Sequence, residues 1–226
     1  MKTAGSARVN RPAEIEANRD VPAPLVVWDL RARESINGLF GSISISMGLG
    51  FFIFDYRGYG DSKGKITEAG TYLDAGAAYK WLCKERQIPE HRIVIFGRSL
   101  GASVAANLAG KVNCGGVVLE NAFTSYAAMG QKMYPYMPVK WFAKFKYDTK
   151  EYLESVSCPI LFFHSRDDEV VPYEFGRELF ESVECDKRFV DIFGRHNNSF
   201  LMSLDIYKKG WVDFLGHLHG LHSKED

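Results

Sequence analysis

The run Arg92-Ile-Val-Ile-Phe-Gly-Arg-Ser-Leu-Gly101 constrains this chain more than any other stretch. An apolar, β-branched strand enters Gly97-Arg-Ser-Leu-Gly101, and the small-residue run from Ala102 to Gly110 leaves it as a helix. This is G-x-S-x-G between strand and helix, the setting of a nucleophile elbow. A turn that sharp strains the backbone of the serine, and the positions two before and two after it must lack colliding side chains. Gly97 and Gly101 meet that demand. The hydroxyl of Ser99 then points out at the carboxyl end of the strand, and the first N–H groups of the helix, Leu100 foremost, face any oxyanion formed there. Read without chemistry, the same residues are a glycine-flanked serine capping a helix.

A serine placed this way implies a parallel sheet, and the rest of the chain can be read against that expectation. Pro24-Leu-Val-Val-Trp28 is a short strand after prolines, and Phe51-Phe-Ile-Phe-Asp55 is apolar throughout, as a strand covered on both faces must be. Between them, 38–50 mixes helix and strand patterns. Apolar residues at helical spacing (Tyr72, Ala75, Ala78, Tyr79, Leu82) predict a helix over Thr71–Gln87. Gly115–Glu120 and Pro159–His164 are further buried strands, Tyr173–Val183 a helix, Arg188–Phe193 the last strand and Phe200–Leu215 the last helix. Alternation in units of about 30 residues means crossover connections. The fold class expected is α/β, a doubly wound, mostly parallel sheet with helices on both faces. The expected division is a polar N-terminal tail at 1–20, one domain over 21–216 with a lid-like aromatic and methionine-rich segment at 121–154, and a tail at 217–226.

Several function classes fall away. Lys+Arg and Asp+Glu both number 28, so there is no basic footprint for nucleic acid. The four cysteines show no C-x-x-C and no nearby histidine pair, which argues against a metal site or a disulfide scaffold and for reduced thiols in the cytoplasm. No apolar run is long enough for a signal peptide or an integral membrane segment. The loop Tyr56–Lys65 invites a phosphate-loop reading, but Gly58 and Gly64 are separated by five residues and Ile66 follows Lys65, so its glycines are expected to shape a turn.

A serine hydroxyl needs a base, and the base an orienting carboxylate. Reactive groups in parallel sheets gather where loops leave strand carboxyl ends. His196, in the turn Gly194-Arg-His-Asn197 after the last strand, fits; His164, ending its own strand, is the rival. The acid is sought in Ser165-Arg-Asp-Asp-Glu-Val-Val-Pro172, with Asp167, Asp168 and Glu169 as candidates and Glu120 as a second position. Otherwise this cluster is a solvated turn capping the next helix, a reading that must hold for two of its three acids.

From Phe51 onward the chain resembles the α/β-hydrolase superfamily, in particular a subgroup of depalmitoylase-like and fungal or bacterial serine hydrolases. The resemblance rests on Phe54-Asp-Tyr-Arg-Gly-Tyr-Gly60, Gly97-Arg-Ser-Leu-Gly101, Leu119-Glu-Asn-Ala-Phe-Thr-Ser125, His164–Pro172 and Gly194-Arg-His-Asn197. It implies Ser99 as nucleophile, His196 as base and Asp168 as acid, an acyl-enzyme route for carboxylic esters or thioesters of small or acyl substrates, and no cofactor or metal. Two departures stand out. The glycine turn that would supply half of the oxyanion hole is replaced by Trp28-Asp29-Leu30, with no glycine before Gly38, so Trp28 and Asp29 flank an oxyanion loop expected to be incomplete. The sheet is also expected to be shortened at its N-terminal edge. A non-catalytic binding protein on this scaffold and a serine peptidase are the alternative functions.

Overall fold

The computed structural model describes residues 24–28, 50–60, 62–134, 136 and 145–222. The expected N-terminal tail, the stretch after Trp28 including Asp29, and the middle of the lid-like segment lie outside the described residues.

Six strands form one sheet: β1 (Pro24–Trp28), β2 (Gly50–Ile53), β3 (Val94–Arg98), β4 (Gly116–Glu120), β5 (Ile160–Ser165) and β6 (Lys187–Ile192). Their order is β2-β1-β3-β4-β5-β6, and every neighbouring pair is parallel. The chain therefore steps outward from β1 to β2, crosses back over β1 to β3 and then proceeds the other way. The reversal leaves a crevice at the carboxyl ends of β1 and β3, where doubly wound sheets bind their ligands.

The helices follow the apolar periodicities. α1 (Glu68–Lys84) begins three residues earlier than the spacing of apolar positions suggests, because Thr67 caps it by accepting from the Gly70 N–H at 3.0 Å. α2 is Leu100–Ala109 and α3 Tyr126–Met133, capped by Ser125. α4 (Thr149–Leu153) and α5 (Tyr173–Ser182) flank β5 in sequence. The last helix arrives in two pieces, α6 (Ser199–Met202) and α7 (Leu204–His222). α7 runs through the region expected to be a tail after residue 216, since Leu218 is buried on the sheet and His217 bonds Asp186.

Strand alternation splits the core in two. Ile95, Val117, Leu119, Ile160 and Phe162 face one layer, with α1 and α2. Val94, Phe96, Val118, Leu161 and Phe163 face the other, where Tyr207, Trp211 and Phe214 of α7 cover them. β3, β4 and β5 are buried on both faces, hence their unbroken apolar runs. α2 is buried along almost its whole length, which its alanines permit by letting the helix lie close to the sheet. The loop after β2 is a turn: Gly58 and Gly60 adopt φ of 79° and 49°, and Arg57 clamps it to α1 through Asp74 at 2.7 Å. The expectation that these glycines shape a turn agrees with that geometry.

Candidate active site

Ser99 lies between β3 and α2 with φ 53° and ψ −121°, a conformation that L-residues rarely adopt. Its N–H is bound to the Glu120 carbonyl at 2.9 Å, so the elbow is tied to the neighbouring strand. Gly97 has no room for a side chain: a Cβ there would meet the Gly101 carbonyl oxygen at 2.3 Å and the Ala105 methyl at 2.6 Å. On the other side of β3, Trp28 pairs with Gly97, so the carboxyl end of β1 lies beside the elbow.

The candidate acid and base, Asp168 and His196, stand on the loops after β5 and β6. His196 Nδ1 and Asp168 Oδ2 are 2.7 Å apart, with the carboxylate fully shielded and the imidazole nearly so. The other oxygen, Asp168 Oδ1, accepts the Val170 and Val171 N–H groups at 2.8 and 2.7 Å. Burial opposes the Asp168 charge, but the bond to His196, the attraction to it and the two backbone donors outweigh burial. The carboxyl sits below its ordinary value. A carboxylate held ionised against Nδ1 fixes the ring so that Nε2 is the atom left for chemistry. Among the described residues no hydrogen bond joins the Ser99 hydroxyl to this imidazole; such bonds are often long until substrate tightens the site.

Both neighbours of Asp168 also brace the histidine turn. Asp167 Oδ2 accepts the Gly194 N–H at 3.1 Å, and Glu169 Oε2 accepts the His196 N–H at 2.9 Å. The expectation that two of the three acids merely form a solvated turn capping the next helix misses these bonds, which join segments 27 residues apart. Gly194 adopts φ 103° against Met202, the backbone freedom that aims the turn.

The rival residues take other roles. His164 is buried, its Nε2 3.0 Å from the Val171 carbonyl, and burial pushes its pKa down. It supports the acid loop from beneath. Glu120 pairs with Arg98 at 3.0 Å and accepts the Tyr207 hydroxyl at 2.7 Å. Arg98 and Asn121, which sequence reasoning did not single out, both donate to the His196 carbonyl. In the sequence both lie within segments that carry the resemblance, Arg98 one residue before the elbow serine and Asn121 one past the end of β4, but neither spacing nor residue type marks a role at the histidine.

A strained serine at a strand–helix junction, with a histidine and an aspartate on later strand-end loops, is an arrangement found across one large fold family, and the family model described as the alpha/beta hydrolase fold matches residues 34–151. The chain belongs to the α/β-hydrolase family. Among relatives of this α/β-hydrolase, the uncharacterized protein Rv2307c of Mycobacterium tuberculosis is 36% identical over 157 residues, 69% of this chain and 56% of that protein. The lysophosphatidylserine lipase ABHD12 of Danio rerio is 32% identical over 154 residues, 60% of this chain and 40% of that protein. The chain spans about half the length of the curated relatives it matches. In structure it is similar to the esterase Pf2001 of Pyrococcus furiosus, with a TM-score of 0.71 at 22% identity over 88% of this chain and 82% of that one. That likeness is one of fold. Among the described residues no helix is long and apolar enough to cross a membrane.

Proposed function

We propose that this α/β-hydrolase is a serine hydrolase that cleaves carboxylic esters. The observation that carries the reading is the Asp168–His196 bond at 2.7 Å, on loops that leave the same sheet edge as the strained Ser99. In this reading His196 Nε2 takes the proton of Ser99, whose oxygen attacks the ester carbonyl, and Asp168 stabilises the imidazolium. The proton then passes to the leaving alkoxide. Water, activated by the same imidazole, hydrolyses the acyl-enzyme.

The Leu100 N–H, one of the first N–H groups of α2, faces the developing oxyanion, because helix geometry leaves those groups without intrahelical acceptors. The end of β1 at Trp28, beside Gly97, is where a second donor would come from, with Asp29 next in the chain. Thioesters pass through the same tetrahedral intermediate and are included. A relative that is a lysophosphatidylserine lipase and a structural neighbour that is an esterase favour monoacyl esters as the first substrates to try. The four cysteines, all free, suit a reducing, cytoplasmic setting.

The test pairs two measurements on the full chain. A fluorophosphonate probe should label Ser99 and fail on Ser99→Ala. A series of p-nitrophenyl esters of graded acyl length, with a lysophospholipid beside them, should be turned over by the unaltered chain only. Labelling that survives Ser99→Ala sinks the assignment of the nucleophile; labelling of Ser99 without any ester turnover favours a binding protein on this scaffold.

A further inference from the structure

The peptide groups on both sides of His196 are held. Its N–H is bound by Glu169 from the acid loop, and its carbonyl oxygen receives two donors from the other direction, the guanidinium of Arg98 and the side-chain amide of Asn121, the latter at 3.4 Å. With N–H and C=O both held, the backbone of this residue is constrained from both sides, and the bond to Asp168 then sets the ring. Arg98 is the residue immediately before Ser99. One side chain thus spans from the strand that carries the serine to the backbone that carries the imidazole.

This link is buried, and its burial is compensated. Arg98 and Glu120 have side chains only 7% and 1% exposed and are paired at 3.0 Å, while the second Glu120 oxygen accepts the hydroxyl of the fully buried Tyr207. A buried guanidinium without such a partner is strongly unfavourable. Asn121 is tied as fully. It adopts φ 47°, a region asparagine tolerates better than most residues, and its Oδ1 accepts the Ser165 N–H at 2.9 Å. Its Nδ2 also reaches the Ser199 hydroxyl at 3.2 Å. The amide orientation follows: with Oδ1 committed to a backbone donor, Nδ2 must face the His196 carbonyl.

We propose that Arg98 and Asn121, with Glu120 as the counter-charge of Arg98, are positioning residues that set the place of the His196 imidazole relative to Ser99. The inference rests on the reading of the site as a Ser99–His196–Asp168 hydrolase. It also gives Glu120 a role distinct from that of the acid: its carboxylate is committed to Arg98 and Tyr207. Misplacement of a base by about 1 Å costs on the order of a hundredfold in rate, so a link of this kind should show in kcat while leaving substrate affinity alone.

The experiment measures kcat and KM for a p-nitrophenyl ester, the rate of fluorophosphonate labelling of Ser99 and the thermal midpoint. The variants are Asn121→Asp, Arg98→Lys and the double change Arg98→Met with Glu120→Met. Asn121→Asp keeps shape and backbone preference but turns the donor toward His196 into an acceptor. The double change removes both charges at once, which leaves no unpaired ion in the core. Asn121→Asp and the double variant should lose about ten- to hundredfold in kcat and in labelling rate, with KM within about twofold. Arg98→Lys should fall between them and the unaltered chain, since it keeps a cation for Glu120. Should the double variant fail to fold, Asn121→Asp decides. Full kcat and labelling rate in Asn121→Asp overturn the proposal, as does a loss confined to KM. Ser99→Ala and His196→Ala are run beside them: if they are silent while Asn121→Asp is fully active, only the positioning role fails. If they remain active, the reading of the site itself fails.

Discussion

Ser99 adopts φ 53° and ψ −121°, where any residue but glycine carries about 1–3 kcal/mol of backbone strain. Glycine at this position relieves the strain but gives back about 0.5–1 kcal/mol through its freer unfolded chain. Ser99→Gly and Ser99→Ala should therefore both lose turnover, while the glycine variant melts above the alanine variant by about 2–4 °C, the shift about 1 kcal/mol makes in a domain of this size. Thermal unfolding followed by circular dichroism checks it. An alanine variant as stable as the glycine one would mean that the elbow is unstrained. The same scale separates the adjacent acids. Asp168→Asn should reduce turnover on the order of a thousandfold or more, because an amide favours the wrong tautomer of the imidazole it orients. Asp167→Asn should cost little, because its remaining carbonyl can still accept the Gly194 N–H. Equal losses in the ester assay would overturn the choice of Asp168.

Among the elements, α1 fastens the return limb of the aromatic segment. Glu68, in its first turn, accepts the Lys146 and Tyr147 N–H groups at 2.7 and 2.9 Å and the Tyr72 hydroxyl at 2.8 Å. Burial works against its charge, but these donors prevail and the carboxyl sits below its ordinary value. Glu68→Ala should cost about 2–4 kcal/mol in urea unfolding, since hydrogen bonds to a charged acceptor contribute about 1.5–3 kcal/mol and two of the lost partners are backbone donors. A change under about 0.5 kcal/mol, the scale of an ordinary surface substitution, would show that the limb holds without it. Such links explain what the sequence could and could not reveal. The strands, the elbow and the two loops that carry Asp168 and His196 are local patterns: apolar runs, glycine spacing, and acids or histidine just past a strand end. Glu68 with Tyr147, Asn121 with Ser165 and Arg98 with His196 are joined across 44 to 98 residues. No periodicity encodes these pairings; packing in three dimensions selects them. The end of α7 differs from the expected tail for a related reason. Its last turns look polar and histidine-rich, yet Leu218 packs on the sheet and His217 finds Asp186 before β6.

For the molecule as a whole, the dependence of stability on pH should carry the signature of the buried His164 ring. His164 stands at the end of β5 beneath the acid loop, with its Nε2 against the Val171 carbonyl. Gly176 of α5 lies so close that a Cβ there would meet its Nδ1 at 2.1 Å. Burial is the main reason its pKa falls in the fold. The Val171 carbonyl and the charges of Asp168 and Glu174 pull the other way, and His196 adds to the lowering. The sign follows from linkage. With the folded pKa below the unfolded value of about 6.5, the unfolded chain binds the extra proton, so stability is fully present above about pH 6.5 and is lost as pH falls toward the folded value. The slope from this one group reaches at most about 1.4 kcal/mol per pH unit. Asp168 acts in a separate window. Its folded pKa is depressed, so its contribution is present above about pH 4 and is lost only below that. Urea unfolding of the unaltered chain and a His164 variant, compared between pH 7 and 5, therefore separates this histidine from Asp168. The unaltered chain should lose stability steadily over that interval. His164→Leu should start lower, because the Val171 carbonyl loses its donor, but should show a flatter profile. If the two profiles run parallel, the ring is protonated in the fold at no cost and its burial is not what sets its pKa.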